Sequence, residues 1–290
     1  MPTIHRYFLH ALSPLHAGTG QGTGVIDLPI AREKATGIPY LPGSSVKGTL
    51  RDRFAGTPNE ELIFGPPTER ADEHAGAAQF ADARLLLLPI RSLRGTFAWV
   101  TSPYILSRFA REIKDTNQIP PPNVQVATEK PCLVANAQAA IVYNGKQVIV
   151  EDLDLDATPS DAVGQWASWI GTHAFPGDEQ YQMMLAGRLC IVHDDMLTFL
   201  LTTATEVTAR IRLKPDSKTV ADGALWYEEA LPVESLLAGV FLVDPPRKHA
   251  GRAQDVINGL GGQSGKTLQF GGKATVGRGL CRVQIEGVAQ

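Results

Sequence analysis

Residues 16–54 read HAGTGQGTGVIDLPIAREKATGIPYLPGSSVKGTLRDRF, and they set the terms for the rest of the chain. Four glycines fall at alternate positions: Gly18, Gly20, Gly22 and Gly24. Glycine suits places where the backbone must pass close to a ligand or to another backbone. A lone acid, Asp27, follows. Ile38-Pro39-Tyr40-Leu41-Pro42 is extended, because a residue before proline is pushed out of the helical region. Gly43-Ser44-Ser45 then opens a helix. Serine is a good N-cap, and Val46, Leu50 and Phe54 recur at four-residue spacing on one face. Lys47 and Arg51 share the neighbouring face. Gly48 costs about 1 kcal/mol against alanine inside a helix, so something is expected to pack closely there. The free N–H groups and positive dipole end of such a helix suit a phosphate.

Upstream, residues 3–12 predict a buried strand in which His5 and His10 are packed or surface residues, not ligands. Downstream, residues 56–77 predict a loop-rich insertion. Strands are predicted over 78–84, 85–91 and 96–101, and a short helix over 103–114. Three consecutive prolines make Gln118–Asn123 a rigid connector. Asn144-Gly145 marks a hairpin within 141–150. Helices fit 160–171, 178–186 and 194–202. Then Val207, Ala209, Ile211 and Leu213 alternate with Thr208, Arg210, Arg212 and Lys214, the period of a strand. With a turn at Pro215–Lys218 and a partner strand near Gly223–Tyr227, this reads as a hairpin with one basic face, on spacing alone a solvated one. A strand at 236–243 and a helix at 252–260 follow. The tail, 267–285, puts a glycine-rich basic loop between two strands. Interleaved strands, hairpins and short helices predict an α+β domain with a mainly antiparallel sheet.

The chain has 290 residues, 43% hydrophobic and 20% charged, which excludes a disordered polymer and suffices for a sizeable core. The longest apolar run, Leu85–Ile90, is strand-sized and contains Pro89, so no membrane span or membrane partner is expected. The N-terminus has no basic region followed by a cleavage site, so no signal peptide is expected. Cys132, Cys190 and Cys281 are odd in number and far apart. They fit a reducing cytosol and no zinc motif, and a cytoplasmic location is the expectation. A net charge of −3 argues against a simple nucleic-acid binder. The distribution argues the other way. Residues 32–53 hold five basic and two acidic side chains, and 266–282 hold four basic and no acidic ones.

Two nucleotide motifs fail. The G-x-G-x-x-G spacing needs glycine where Thr23 or Val25 stands, and a proline-punctuated segment follows where a helix is required. Gly265-Lys266-Thr267 resembles the end of a phosphate loop, but Leu260 occupies the position of its first glycine. His193-Asp194-Asp195 has no companion histidine or aspartate at metal spacing and is read as a helix cap. No G-x-S-x-G elbow is present.

The surviving motifs resemble one family. HAGTGQGTGVIDLPIAREKATGIPYLPGSSVKGTLRDRF is similar to the N-terminal signature of the RAMP superfamily of CRISPR systems, and GGKATVGRGLCRV (271–283) to its C-terminal glycine-rich motif. DLPIAREKATGIPY, ADARLLLLPIRSLRGTFAWVTSP (81–103) and DGALWYEEALP (222–232) narrow the resemblance to the backbone subunit of type III-B (Cmr-type) RNA-guided effector complexes. It is weakest over 56–77 and 115–180.

The resemblance implies a single domain over 1–290. A ferredoxin-like, RNA-recognition-motif-like palm would take about 1–55, 78–101 and 236–290. A helical finger insertion would take 56–77 and 102–203, and a protruding β-hairpin thumb 204–235. It implies a filament of copies along the CRISPR RNA, with other type III-B subunits as partners. Thumbs kink the guide–target duplex, and the target RNA is cut at each kink. Asp27 matches the cleavage residue. Lys47 matches a guide-backbone contact, and Ser44 and Ser45 supply the helix start beside it, with Arg51 on the same face. Gly271, Gly272, Lys273 and Arg278 fall in a second RNA-facing loop. Arg210 and Arg212 of the thumb contact RNA or a neighbouring subunit. His16 and Glu228, or its neighbour Glu229, stand where the family has polar groups near the cleaved phosphate.

RNA can be cut by its own 2′-hydroxyl, given in-line geometry, a proton acceptor and charge stabilisation. Asp27 alone is a thin metal site, so a divalent ion, Mg²⁺ or Mn²⁺, is expected only together with RNA. Two other readings stay open. One is a purely structural guide-RNA-binding member of the superfamily without nuclease activity. The other is a non-CRISPR enzyme that uses the Gly18–Gly24 loop for a small nucleotide.

Overall fold

Tyr7, Phe8, Leu9 and Ala11 are buried because the strand that carries them, Thr3–Ala11, is flanked on both edges. Leu236–Val243 pairs with it antiparallel on one side and Leu280–Ile285 on the other. The computed structural model describes residues 2–22, 24–70, 72–113, 119–214, 216–217, 219–245 and 252–286. Within them, one 13-stranded sheet runs through the chain. From Leu236–Val243 it continues through Ala83–Arg91, Phe97–Thr101, Leu189–Ile191, Pro131–Val134 and Leu153–Pro159 to the hairpin Val142–Tyr143/Gln147–Val150. Thr267–Gln269 closes the opposite edge. The ladders are antiparallel except where Leu189–Ile191 joins Phe97–Thr101 and Pro131–Val134 joins Leu153–Pro159.

The α+β architecture and the antiparallel bias follow the sequence pattern. Asn144 and Gly145 turn the predicted hairpin with φ of 49° and 67°. The three helices predicted after residue 159 are Asp161–Ala174, Glu179–Arg188 and Asp194–Thr203. His5 stacks on Phe241, and His10 is buried against Glu234. His193 caps the Asp194–Thr203 helix, its Nδ1 accepting from the Asp195 N–H at 3.2 Å. Gln118, Lys114, Thr23 and the turn residues Pro215 and Lys218 lie outside the described residues.

Three expectations are corrected. Residues 56–77 are not merely loop: Glu60–Phe64 is helical and buries Leu62, Ile63 and Phe64 in the core. The helix Gly43–Arg53 starts two residues earlier than a Ser44 cap allows. Pro42 is its N-cap, and the Asp82 carboxylate accepts from the Gly43 N–H at 2.8 Å. A Cβ at Gly43 would collide with the Phe80 carbonyl, so the tight packing lies there. Nothing lies within 4 Å of a Cβ placed at Gly48.

Apart from the large sheet stands a two-stranded hairpin, Glu206–Leu213 with Val220–Ala230. Its register pairs Thr208 with Glu228 and Arg210 with Trp226 on one face, and Ala209 with Tyr227 and Ile211 with Leu225 on the other. The expected orientation holds only toward the tip: on the basic face Arg212 and Lys214 are exposed, while Thr208 and Arg210 at the root are half-buried against the body of the protein, and the apolar face is open along its length. Ile211 is 52% exposed and Leu225 54%. The reason lies at the hairpin root, where Glu228 is buried and draws Arg210 inward.

Candidate active site

The loop from Gly18 to Ile30 does not hang free. It returns on itself through the Gly18–Ile30 bridge, and Gly22 N–H donates to the Asp27 carbonyl at 2.8 Å. Its last residues add to the hairpin as a short third strand. Leu28 N–H donates to Tyr227 O, and Glu229 N–H to Leu28 O, both at 3.0 Å. Asp27 is therefore fixed at the hairpin root. Its Oδ2 accepts from the Tyr227 N–H at 2.7 Å, and Oδ1 has no partner among the described residues.

Asp27 lines an open cleft of about 510 Å³ with Gln21, Arg212, Trp226, Leu225 and Lys273. One carboxylate oxygen thus shares a cleft with two cations. Beneath it lies Glu228, 3% exposed. Its Oε1 accepts from Trp226 Nε1 at 2.9 Å and pairs with Lys273 Nζ at 2.9 Å. Its Oε2 faces Arg210 Nε at 3.4 Å and Arg278 Nε at 3.9 Å. Burial pushes the Glu228 carboxyl up, but the hydrogen bonds from Trp226 and Lys273 and the charges of Lys273 and Arg210 outweigh it and hold it at about 2. A carboxyl held that low stays ionised through the neutral range, which suits anchoring cations and not proton transfer.

The C-terminal loop reaches this point from the other side. Gly272 N–H donates to the His16 carbonyl at 2.9 Å, and Gln269 Nε2 donates to the carbonyls of Phe270, Gly271 and Arg278. His16 lies under both glycine loops, 5% exposed. Its Nδ1 must carry the proton, because it donates to the Glu229 carbonyl at 2.6 Å. It does not line the cleft. Arg278 is 5% exposed, donates to Thr208 Oγ1 at 3.1 Å, and leaves Nε and Nη1 without hydrogen bonds among the described residues.

The helix residues form a separate surface. Thr49 Oγ1 donates to the Gln269 carbonyl at 3.1 Å and so ties the helix to the C-terminal loop. Ser44 is exposed and Ser45 half-buried. Asp82 already offers a negative charge at the helix start, so the helix end by itself is a weaker anion site than the sequence suggests. Arg51 is engaged by Glu60 and by the Pro66 carbonyl. Lys47 has no ion pair among the described residues. Burial and the neighbouring Arg51 charge lower its pKa, so an anion beside it would be welcome.

Further charged groups near the site are occupied within the fold. Glu229, buried, holds Arg32, Thr205 Oγ1 and the Ile30 N–H. Glu33, Arg84, Arg108 and Glu112 form one network that braces the segment after the loop. The residues missed were Trp226 and Gln269. An indole beside the thumb acids and a glutamine before the double glycine were the available signals.

A divalent ion fits this cleft only in part. Among the described residues the cleft offers one free carboxylate oxygen and faces it with two cations, a donor set that does not hold an ion alone. The group of acidic and histidine side chains within ligand reach of one another, Glu129, His193 and Asp195, contains none of the cleft residues. No helix among the described residues is long and apolar enough to cross a membrane.

The chain is 37% identical over 285 residues to the CRISPR system Cmr endoribonuclease Cmr4 of Pyrococcus furiosus, covering 97% of this chain and 95% of that one. The crystal structure of oligomeric Cmr4 from Pyrococcus furiosus superposes with a TM-score of 0.74 at 28% identity, covering 99% of each chain. A chain of the type III-B Cmr-beta complex bound to cognate target RNA shares the fold, with a TM-score of 0.74 at 19% identity over 98% of this chain and 97% of that one. The RAMP superfamily model matches residues 8–282, and the chain therefore belongs to the RAMP superfamily.

Proposed function

We propose that this chain is a backbone subunit of a type III-B CRISPR effector complex that holds the guide RNA and cuts the complementary target RNA. The observation that carries the reading is Asp27: a carboxylate pinned to the thumb backbone, with one oxygen open to a cleft that also holds Arg212 and Lys273. The likeness to Cmr4 along the whole chain gives that geometry its substrate class.

In this reading the palm, finger and thumb take the boundaries set out from the sequence. Half-buried Lys47 and the exposed Ser44 of the helix grip the guide backbone, and the second loop adds Gly271 and Gly272. The thumb's open apolar face, with Val207, Ile211 and Leu225, is a wedge suited to unstacking bases. Unstacking lets the target backbone at that point adopt in-line geometry. The 2′-oxygen then forms a bond to phosphorus as the bond to the 5′-oxygen breaks. The 2′-proton passes to Asp27 Oδ1 and the 5′-oxygen takes a proton from water, leaving a 2′,3′-cyclic phosphate and a 5′-hydroxyl. A divalent ion shared between Asp27 and RNA phosphate would add charge stabilisation. Other copies of this chain, further type III-B subunits and a cytoplasmic location belong to the same proposal.

The test is an assembled, guide-loaded complex built with Asp27→Asn. Target binding should stay within about 3-fold, and cleavage should fall by about 10³-fold, the scale of losing an essential charged group. Chelation of divalent ions should stop the parent complex without releasing the target. Undiminished cutting by the Asn variant would remove Asp27 from the chemistry. No cutting by the parent with any divalent ion would leave a purely structural RNA-binding subunit.

A further inference from the structure

We propose that Lys273 contacts the scissile phosphate as a second catalytic group, and that Glu228 takes part only by positioning Lys273. The inference rests on Asp27 as the cleavage residue.

Lys273 is an unusual lysine. Its backbone sits in the left-handed region, φ 67°, directly after Gly271-Gly272, so the loop turns the side chain at one fixed point. Its ammonium lies 2.9 Å from a carboxylate oxygen that is itself almost fully buried. A surface lysine ordinarily samples many rotamers, and this one is tethered at its tip. Arg212, the other cation of the cleft, has no such tether among the described residues.

The tether is not needed to neutralise Glu228. Arg210 and Arg278 already face its Oε2 at 3.4 and 3.9 Å. Three cations on one carboxylate leave positive charge over, and Lys273 is the one of the three that lines the cleft with Asp27. The transition state of the cleavage step carries extra negative charge on the non-bridging phosphate oxygens. A preorganised ammonium opposite the proton acceptor meets that charge without reorganising. Lys273 keeps its proton throughout, so the balance of the step is unchanged. Glu228, ionised and buried, touches neither phosphate nor sugar. It fixes where the ammonium stands, and Trp226 Nε1 on the same oxygen fixes Glu228.

The experiment uses the assembled, guide-loaded complex and measures single-turnover cleavage at saturating target, with target affinity alongside. Lys273→Ala should cut about 10²-fold more slowly, with affinity within about 3-fold. Lys273→Arg should recover about 10-fold of that loss, because a cation returns with different geometry. Glu228→Gln should cut about 10-fold more slowly, and the Lys273→Ala/Glu228→Gln pair no more slowly than Lys273→Ala alone, since both changes remove one unit. Losses that multiply in the double variant would overturn the positioning role. A Lys273→Ala loss that vanishes at saturating target would make Lys273 a binding group and overturn the catalytic one. If Glu228→Gln does not assemble, the Lys273 pair decides alone. Asp27→Asn in the same assay separates the two claims. A silent Asp27→Asn beside a fully active Lys273→Ala sinks only this inference, whereas an active Asp27→Asn sinks the reading beneath it.

Discussion

A Cβ added at Gly20 or Gly24 of the first glycine-rich loop would meet nothing within 4 Å, whereas one added at Gly271 or Gly279 of the second would strike the carbonyls of His16 and Phe270. The first loop alternates. Gly18 and Gly22 are tight against His16 and Ile26, and Gly20 and Gly24 face open space. The second loop is closed on itself by Gln269 and on the segment just after the first strand by Gly272 and Gly279, whose N–H groups donate to His16 and Pro14. Glycine thus serves two purposes that look identical in sequence. In one it lets the fold pack. In the other it keeps side chains away from a surface that the isolated chain leaves uncovered.

The sharpest test of that division is Gly279→Ala or Gly271→Ala. Each combines a left-handed φ, 81° or 70°, with a collision against backbone that cannot step aside. A loss of about 2–5 kcal/mol in denaturant unfolding is expected. Gly24→Ala in the same assay is the control and should stay within about 0.5 kcal/mol. Equal losses at the two positions would erase the distinction between the loops.

The same comparison explains what could be read from the sequence. Strand and helix positions were legible wherever periodicity was long, as in Val207–Lys214 or the helix from Gly43. Hydrophobic period reports which residues share a face but not which face is covered. The hairpin was therefore legible, but the inward turn of its root was not: Glu228, eighteen residues from Arg210 in the chain, draws that arginine in across strands. Asp27, Lys47 and Lys273 were singled out through the family motifs, and the structure brings Asp27 and Lys273 to one cleft. That Arg32 and Arg51 are neutralised by Glu229 and Glu60 was not, because those pairings exist only after folding. Short strands such as Pro131–Val134 and Leu189–Ile191 carry too few residues to show a period.

The second loop is tied to the thumb by charge as well as by packing, and pH should expose the tie. The Glu228 carboxyl is depressed to about 2 in the folded chain from an ordinary 4.5. A depressed carboxyl stabilises the fold above its unfolded pKa and loses that contribution as pH falls through the folded one. About 3 kcal/mol should therefore be present above pH 4.5 and drain away toward pH 2. Acid unfolding of the parent should show this slope, and Glu228→Gln should lack it while starting less stable at neutral pH. A parallel acid profile in the two proteins would mean that Lys273 and Arg210 do not hold the loop to the hairpin.

Gly48 gives the smallest effect and the most pointed version of the comparison. It sits inside a helix, exposed, with open space where a Cβ would go, so nothing in the isolated chain accounts for its presence. Alanine there should stabilise the free chain by about 1 kcal/mol, because the helix no longer carries glycine's backbone entropy. If the glycine is kept for close approach of the guide backbone beside Lys47, the same substitution should weaken guide binding by several-fold while raising the melting temperature of the free chain. Opposite signs in the two measurements place Gly48 with Gly20 and Gly24, among glycines that answer to a surface not yet covered. A stabilised chain that binds guide normally would instead leave the helix without a close contact and confine RNA packing to the loops.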